Sequence, residues 1–125
     1  MPRILIAEDD PQVGSLLEKG FQDKGFSTHV VDDGEQARAQ GLTDDFDLLI
    51  LDIGLPDRPG LEVLQDLRSR GMRIPVLVLT GRREYSHGAC LDAGADDYMG
   101  KPFHFRDLLS RVQVLLQGPA PVNSR

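Results

Sequence analysis

The fifteen residues from Phe46 to Gly60 read "FDLLILDIGLPDRPG". Asp47 to Leu51 is a continuous apolar run behind one acid. That pattern suits a strand buried on both faces, as in a parallel sheet. The run stops on Asp52 and then meets Gly54, Pro56, Pro59 and Gly60, residues that break regular structure. A strand built for a core therefore ends on a lone carboxylate at the mouth of a tight loop.

The flanking segments repeat the strand and alternate it with helices. Arg3 to Ala7, Ser27 to Val31, Val76 to Leu79 and Asp97 to Gly100 read as further strands. Pro11 to Lys24 reads as a helix with Val13, Leu16, Leu17 and Phe21 on one face, opened by an acid and a Pro in its first turn. Glu35 to Leu42, Leu61 to Arg70, Glu84 to Ala93 and Phe105 to Leu116 complete five helices, the third with Leu61, Leu64 and Leu67 spaced for burial. Five β-α units predict an α/β fold with a doubly wound, flavodoxin-like five-stranded parallel sheet in the order 2-1-3-4-5. Residues 1–117 form the domain. The segment "GPAPVNSR" after Gln117, residues 118–125, reads as a tail or the start of a linker.

Bulk properties agree. A chain of 125 residues, 40% hydrophobic and 27% charged, fits one globular domain. No apolar run is long enough to span a bilayer, and "MPRILIAEDD" does not read as a signal peptide. Cys90 is the single cysteine, so no internal disulfide forms, and a cytoplasmic location is expected. The formal charge of −6 gives no basic surface for nucleic acid. Any action on DNA is expected through a separate domain.

In an open α/β sheet, ligands bind beyond the carboxyl ends of the strands. Those ends carry Glu8, Asp9 and Asp10 after the first strand, Asp52 on the third, Thr80 on the fourth, and Lys101 with Pro102 after the fifth. Clustered carboxylates repel unless a proton or a cation joins them. Oxygen ligands of this kind suit Mg²⁺, which also takes phosphate oxygens. Asp52 can then ligate the metal and accept a phosphoryl group, with Lys101 supplying charge and Thr80 a hydrogen bond. The turn after Asp52 brings a carbonyl such as that of Gly54 within reach of the metal.

With those residues in place, the sequence resembles a response-regulator receiver domain of bacterial two-component systems, most closely the OmpR/PhoB-like subfamily. The likeness runs through "RILIAEDD", "LLILDIGLPDRPGLEVL", "VLVLTGR" and "LDAGADDYMGKPF". It implies that Asp52 is the phosphoacceptor and that Glu8, Asp9, Asp52 and the Gly54 carbonyl hold Mg²⁺. It implies that Thr80 is the switch hydroxyl, Tyr98 the aromatic switch and Lys101 the phosphate-binding lysine, with a cis Lys101–Pro102 bond. It implies a sensor histidine kinase as donor, and a homodimer through the fourth helix, fifth strand and fifth helix, with Asp97, Asp107 and Arg111 on that face. A DNA-binding domain after Arg125 follows from the same likeness. Two departures stand out. The stretch from Thr80 to Tyr98 is one residue shorter than usual and lacks the acidic helix start, and Gln113 replaces a common basic residue.

Other readings remain beside these. Asp10 is read as a helix cap rather than a ligand. Cys90 is read as packing, His29, His87 and His104 as surface or partly buried residues, and Asp32, Asp33, Asp44 and Asp45 as solvated loop charges. A flavodoxin-type carrier needs a Gly/Ser/Thr-rich phosphate cradle where this chain has "AEDDPQ". An aspartyl phosphatase carries a second Asp two positions after its nucleophile, where this chain has Gly54. A stand-alone receiver, or a pseudo-receiver acting as a protein-binding adaptor, is the alternative function.

Overall fold

The computed structural model describes residues 1–81 and 87–118. Strands and helices alternate throughout them: β1 (Arg3–Ala7), α1 (Pro11–Asp23), β2 (Ser27–Val31), α2 (Gly34–Gly41), β3 (Leu48–Asp52), α3 (Gly60–Ser69), β4 (Val76–Thr80), α4 (His87–Asp92), β5 (Asp97–Gly100) and α5 (Phe105–Gln117). The sheet has the order β2-β1-β3-β4-β5, with every neighbouring pair parallel, as the sequence predicts.

The apolar runs of the central strands divide by alternation. Ile4, Ile6, Leu48, Ile50, Leu77 and Leu79 join Leu17, Phe21, Leu108 and Val112 in a core beneath α1 and α5. Leu5, Leu49, Leu51, Val76 and Val78 face the other way, onto Val63, Leu64, Leu67 and Cys90 from α3 and α4. A strand covered on both faces needs no polar alternation, which is why these runs are continuous in the sequence. Cys90 is fully buried, as packing requires, and burial pushes its thiol pKa up. Among the described residues no helix is long and apolar enough to cross a membrane.

Three expectations shift, and part of a fourth lies outside the described residues. The third strand runs one residue later, through Asp52. The Ile53 N–H donates to the Leu79 carbonyl at 3.0 Å, so pairing with β4 carries the extended backbone past Leu51. Leu16 is 54% exposed, not buried with Leu17. It lies about 100° around the helix from the stripe through Leu17 and Phe21, and Gly14 takes the buried place. Asp33 is not a solvated loop charge: its carboxylate accepts from the Gln36 N–H at 2.7 Å and caps α2. The described part of the fourth helix is His87–Asp92, and Glu84 to Ser86 lie outside the described residues. Asp10, by contrast, caps α1 as expected, accepting from the Gln12 N–H at 2.9 Å.

Candidate functional site at the carboxyl edge of the sheet

β1 and β3 are neighbours, but the chain leaves them on opposite sides: β1 leads through α1 to β2, and β3 through α3 to β4. A crevice therefore opens beyond their carboxyl ends. Glu8 is the first residue past β1. Its N–H donates to the Val31 carbonyl at 3.0 Å, extending the pairing with β2, and its side chain is fully buried. Asp52 closes β3 and is 6% exposed, whereas Asp9 is exposed. One carboxylate oxygen from each of Glu8, Asp9 and Asp52 lies within 4.8 Å of the others. A groove of about 330 Å³ opens beside Glu8 and Asp9, lined also by Pro11, Ser15, Glu18 and Asp32.

Lys101 reaches this trio from the far side. The Lys101 N–H donates to the Thr80 carbonyl at 2.8 Å, which places its side chain just beyond the β4–β5 pair. The Lys101–Pro102 bond is cis, as expected. The ammonium stands 2.7 Å from Glu8 Oε1 and 3.2 Å from Asp52 Oδ2, donating a hydrogen bond to Asp52. Burial works against its charge, but the two carboxylates outweigh that and raise its pKa. Glu8 is raised as well, which for a carboxyl favours the neutral form. Burial pushes its carboxyl up to about 7; Lys101 opposes the shift and Asp52 adds to it.

These carboxylates fit a hard cation. Glu8 Oε2 accepts from the Asp10 N–H at 3.1 Å, but Oε1 has no aligned donor. The short approach of Lys101 to Oε1 is an ion pair without a well-directed hydrogen bond. A buried carboxylate oxygen left in that condition costs free energy. Three carboxylates against one ammonium also leave an excess of negative charge. An oxygen-ligated divalent ion relieves both.

The loop after Asp52 is held closely. The Gly54 N–H donates to Asp52 Oδ1 at 3.1 Å, and the Gly60 N–H to the Ile53 carbonyl at 2.9 Å. A Cβ on Gly60 would stand 2.5 Å from the Asp52 carbonyl oxygen, so only glycine allows this return. The breakers in "GLPDRPG" thus fold the chain back against the strand end. Thr80, 5% exposed, ends β4 one residue past the partner of Asp52.

The expected signalling-face residues gather on β5 and α5. Tyr98 is half-buried against the core under α3 and α4. Asp97 and Arg111 pair within the chain at 2.9 Å, and Arg111 also donates to the Tyr98 carbonyl at 3.2 Å. Asp107 is exposed in the first turn of α5. Sequence reasoning passed over Asp57, whose carboxylate accepts from the Gly34 and Glu35 N–H groups. An Asp among turn residues carries no sign of a bond 23 positions away. It also passed over Arg68, which donates to the carbonyls of Gly94 at 3.0 Å and Met72 at 2.8 Å and pairs with Asp96 at 3.0 Å.

Comparison with known proteins places this arrangement. The chain is 47% identical over 114 residues to the response regulator protein PmrA of Pseudomonas aeruginosa, covering 90% of this chain and 52% of PmrA. It is 41% identical over 121 residues to the transcriptional regulatory protein CusR of Escherichia coli K12, covering 96% of this chain and 53% of CusR. The chain thus spans about half the length of these curated relatives. Its fold superimposes on the crystal structure of response regulator protein TrrA from Thermotoga maritima in complex with Mg²⁺-BeF. The TM-score is 0.83 and the identity 33%, over 92% of this chain and 99% of that one. Residues 4–113 match the family model described as the response regulator receiver domain. The chain belongs to the response regulator receiver domain family.

Proposed function

We propose that this receiver accepts a phosphoryl group on Asp52 from the phosphohistidine of a sensor kinase, and that the modification changes the face formed by α4, β5 and α5. The observation that carries this reading is the buried Asp52 carboxylate beside the Lys101 ammonium, with Glu8 and Asp9 in reach. A carboxylate oxygen of Asp52 bonds to phosphorus as the bond from phosphorus to the donor imidazole nitrogen breaks. The product is an acyl phosphate, and the imidazole leaves as the neutral base after taking up a proton. Lys101 balances the negative charge that gathers on the acceptor. Thr80 offers a hydroxyl at the neighbouring strand end. Glu8, Asp9, Asp52 and the Gly54 carbonyl would hold Mg²⁺, which neutralises phosphoryl oxygens. TrrA, crystallised with Mg²⁺-BeF, supports the choice of ion.

Residues 1–117 form the receiver and 118–125 a linker. The lengths of PmrA and CusR, and the transcriptional role in the name of CusR, support a following DNA-binding domain. Output then runs through Thr80 and Tyr98 to a homodimer, an equilibrium biased by one added charge. Asp97 and Arg111 pair inside the single chain, so a dimer built on them exchanges that pair for pairs across the interface. A receiver of this kind works in the cytoplasm, where its kinase presents the phosphohistidine.

The test is intact mass after incubation with acetyl phosphate and Mg²⁺. Wild type should gain one phosphoryl group that hydroxylamine removes. Chelator and Asp52→Asn should each abolish the gain. No gain in wild type under any of these conditions would replace this reading with a constitutive protein-binding adaptor. Sedimentation before and after phosphorylation then reads the dimer.

A further inference from the structure

Asp57 sits in the loop between β3 and α3, three residues past Gly54, yet its carboxylate serves another element. Oδ1 accepts from the Gly34 N–H at 2.5 Å and Oδ2 from the Glu35 N–H at 3.1 Å. These are the first two amides of α2, which have no partner within the helix. Asp33 takes the third, from Gln36. The cap of α2 is therefore divided: one carboxylate comes from the helix's own leading residue and one from the loop beside the acidic trio.

The loop and the helix touch closely at the same point. A Cβ on Gly34 would stand 2.6 Å from Arg58 Cβ and 2.7 Å from the Arg58 carbonyl oxygen, so this contact depends on glycine. Arg58 also approaches Glu35 at 3.6 Å. At its other end the loop is fixed by the Gly60 N–H on the Ile53 carbonyl. Gly54 thus lies between two held points: Ile53, whose carbonyl accepts from the Gly60 N–H, and Asp57, bonded to α2.

We infer that Asp57 is a positioning residue for the cation site: by capping α2 from the loop after Asp52, it fixes the backbone that carries the Gly54 carbonyl. The inference rests on the Mg²⁺ reading proposed above. A metal ligand supplied by backbone is only as well placed as the segment that carries it, and outer partners of ligands commonly tune affinity. The same contact ties the loop to the β2–α2 connection, whose Asp32 lines the acidic groove.

Asp33 supplies the control, because its carboxylate caps the same helix through Gln36. Mg²⁺ binding to the full chain is measured by calorimetry for wild type, Asp33→Ala, Asp57→Ala and Asp57→Asn. Amide hydrogen exchange of the unliganded proteins is followed in parallel. Asp57→Ala should weaken Mg²⁺ by roughly three- to tenfold, at or below the usual loss of an outer partner. It should also speed exchange at Gly34, Glu35 and Gly54. Asp57→Asn keeps acceptor oxygen for one amide and should recover part of the affinity. Asp33→Ala should leave Mg²⁺ affinity within twofold of wild type while speeding exchange at Gln36. Equal Mg²⁺ affinity in Asp57→Ala and Asp33→Ala would overturn the inference and leave Asp57 a plain helix cap. Failure of wild type itself to bind Mg²⁺ would instead remove the reading on which the inference stands.

Discussion

On the side of α1 and α5 the sheet is covered by rings. Phe21 meets Phe26 edge-on at 5.4 Å and Phe105 at 4.9 Å, with Phe21 itself fully buried. On the side of α2, α3 and α4 the fully buried cover is aliphatic, with Phe46 and Tyr98 only partly buried at its margin, and directed polar links join the elements. Arg68 ties the end of α3 to the Gly94 and Met72 carbonyls and to Asp96, and Asp96 in turn accepts from the Val76 N–H at 2.8 Å. Asp57 and Arg58 tie the β3 loop to α2. Interlocked rings resist displacement together, because moving one opens a void against the others. Hydrogen bonds break one at a time and leave the rest intact. The α4 part of the face proposed to switch is thus fastened by links of the second kind, while α5 belongs to the ring-packed side.

The largest effect is expected where that contrast is sharpest. Phe21→Ala removes a fully buried ring from the centre of the aromatic trio and should cost about 3–5 kcal/mol of unfolding free energy. Chemical denaturation checks it, with the slope unchanged if the folded state remains intact. A loss below about 1 kcal/mol would mean that Phe26 and Phe105 close the gap, so that the two faces differ less than their chemistry implies.

Arg68→Ala tests the other face and should cost less, roughly 1–3 kcal/mol, since its carbonyl partners can turn to water and its partner Asp96 is 44% exposed. The distribution matters more than the total. Hydrogen exchange should quicken at Ala95, Asp96 and the adjoining residues of α4, and hardly at all in α1 and α5. Arg68→Lys should rescue little, because one ammonium cannot span Gly94, Met72 and Asp96 as the planar guanidinium does. Exchange that rises evenly through the whole domain would break the comparison, showing that Arg68 supports the fold at large.

How much of this was legible in the sequence follows from range. The β-α alternation, the sheet order and the carboxylate at the strand end were readable, because each rests on a local pattern and on the rule that parallel strands share a ligand edge. Asp10 was readable as a cap because Pro11 follows it. Leu16 was misplaced because four apolar residues in one window fit a helix face only roughly, and packing chose Gly14 instead. Asp33 and Asp57 were hidden, since acids in loops look alike whether they face water or a helix terminus. Arg68 was hidden for the same reason: its partners lie up to 28 residues away. The sequence pattern brought Lys101 to the right edge, but its double approach to Glu8 and Asp52 depends on the turn after β5.

The smallest predicted effect lies at Glu8, at the carboxyl edge of the sheet. Its carboxyl is raised in the folded chain from 4.5 to about 7, chiefly by burial. A raised carboxyl favours the folded state in its protonated form. That contribution is complete below 4.5 and is lost as the pH rises through 7. A cation needs the carboxylate, so binding Mg²⁺ releases the proton and is weaker in acid. Between pH 8 and pH 6 the apparent Mg²⁺ affinity should fall by about tenfold, equivalent to about 1.4 kcal/mol. Thermal unfolding with and without Mg²⁺ reads this directly: the stabilisation by metal should be larger at pH 8, and Glu8→Gln should flatten the dependence. A metal increment equal at both pH values, or larger at pH 6, would mean that Glu8 is already ionised in the unliganded protein. Lys101, standing 2.7 Å from it, would then supply enough charge to cancel the penalty of burial, and the cation would meet a site prepared in advance.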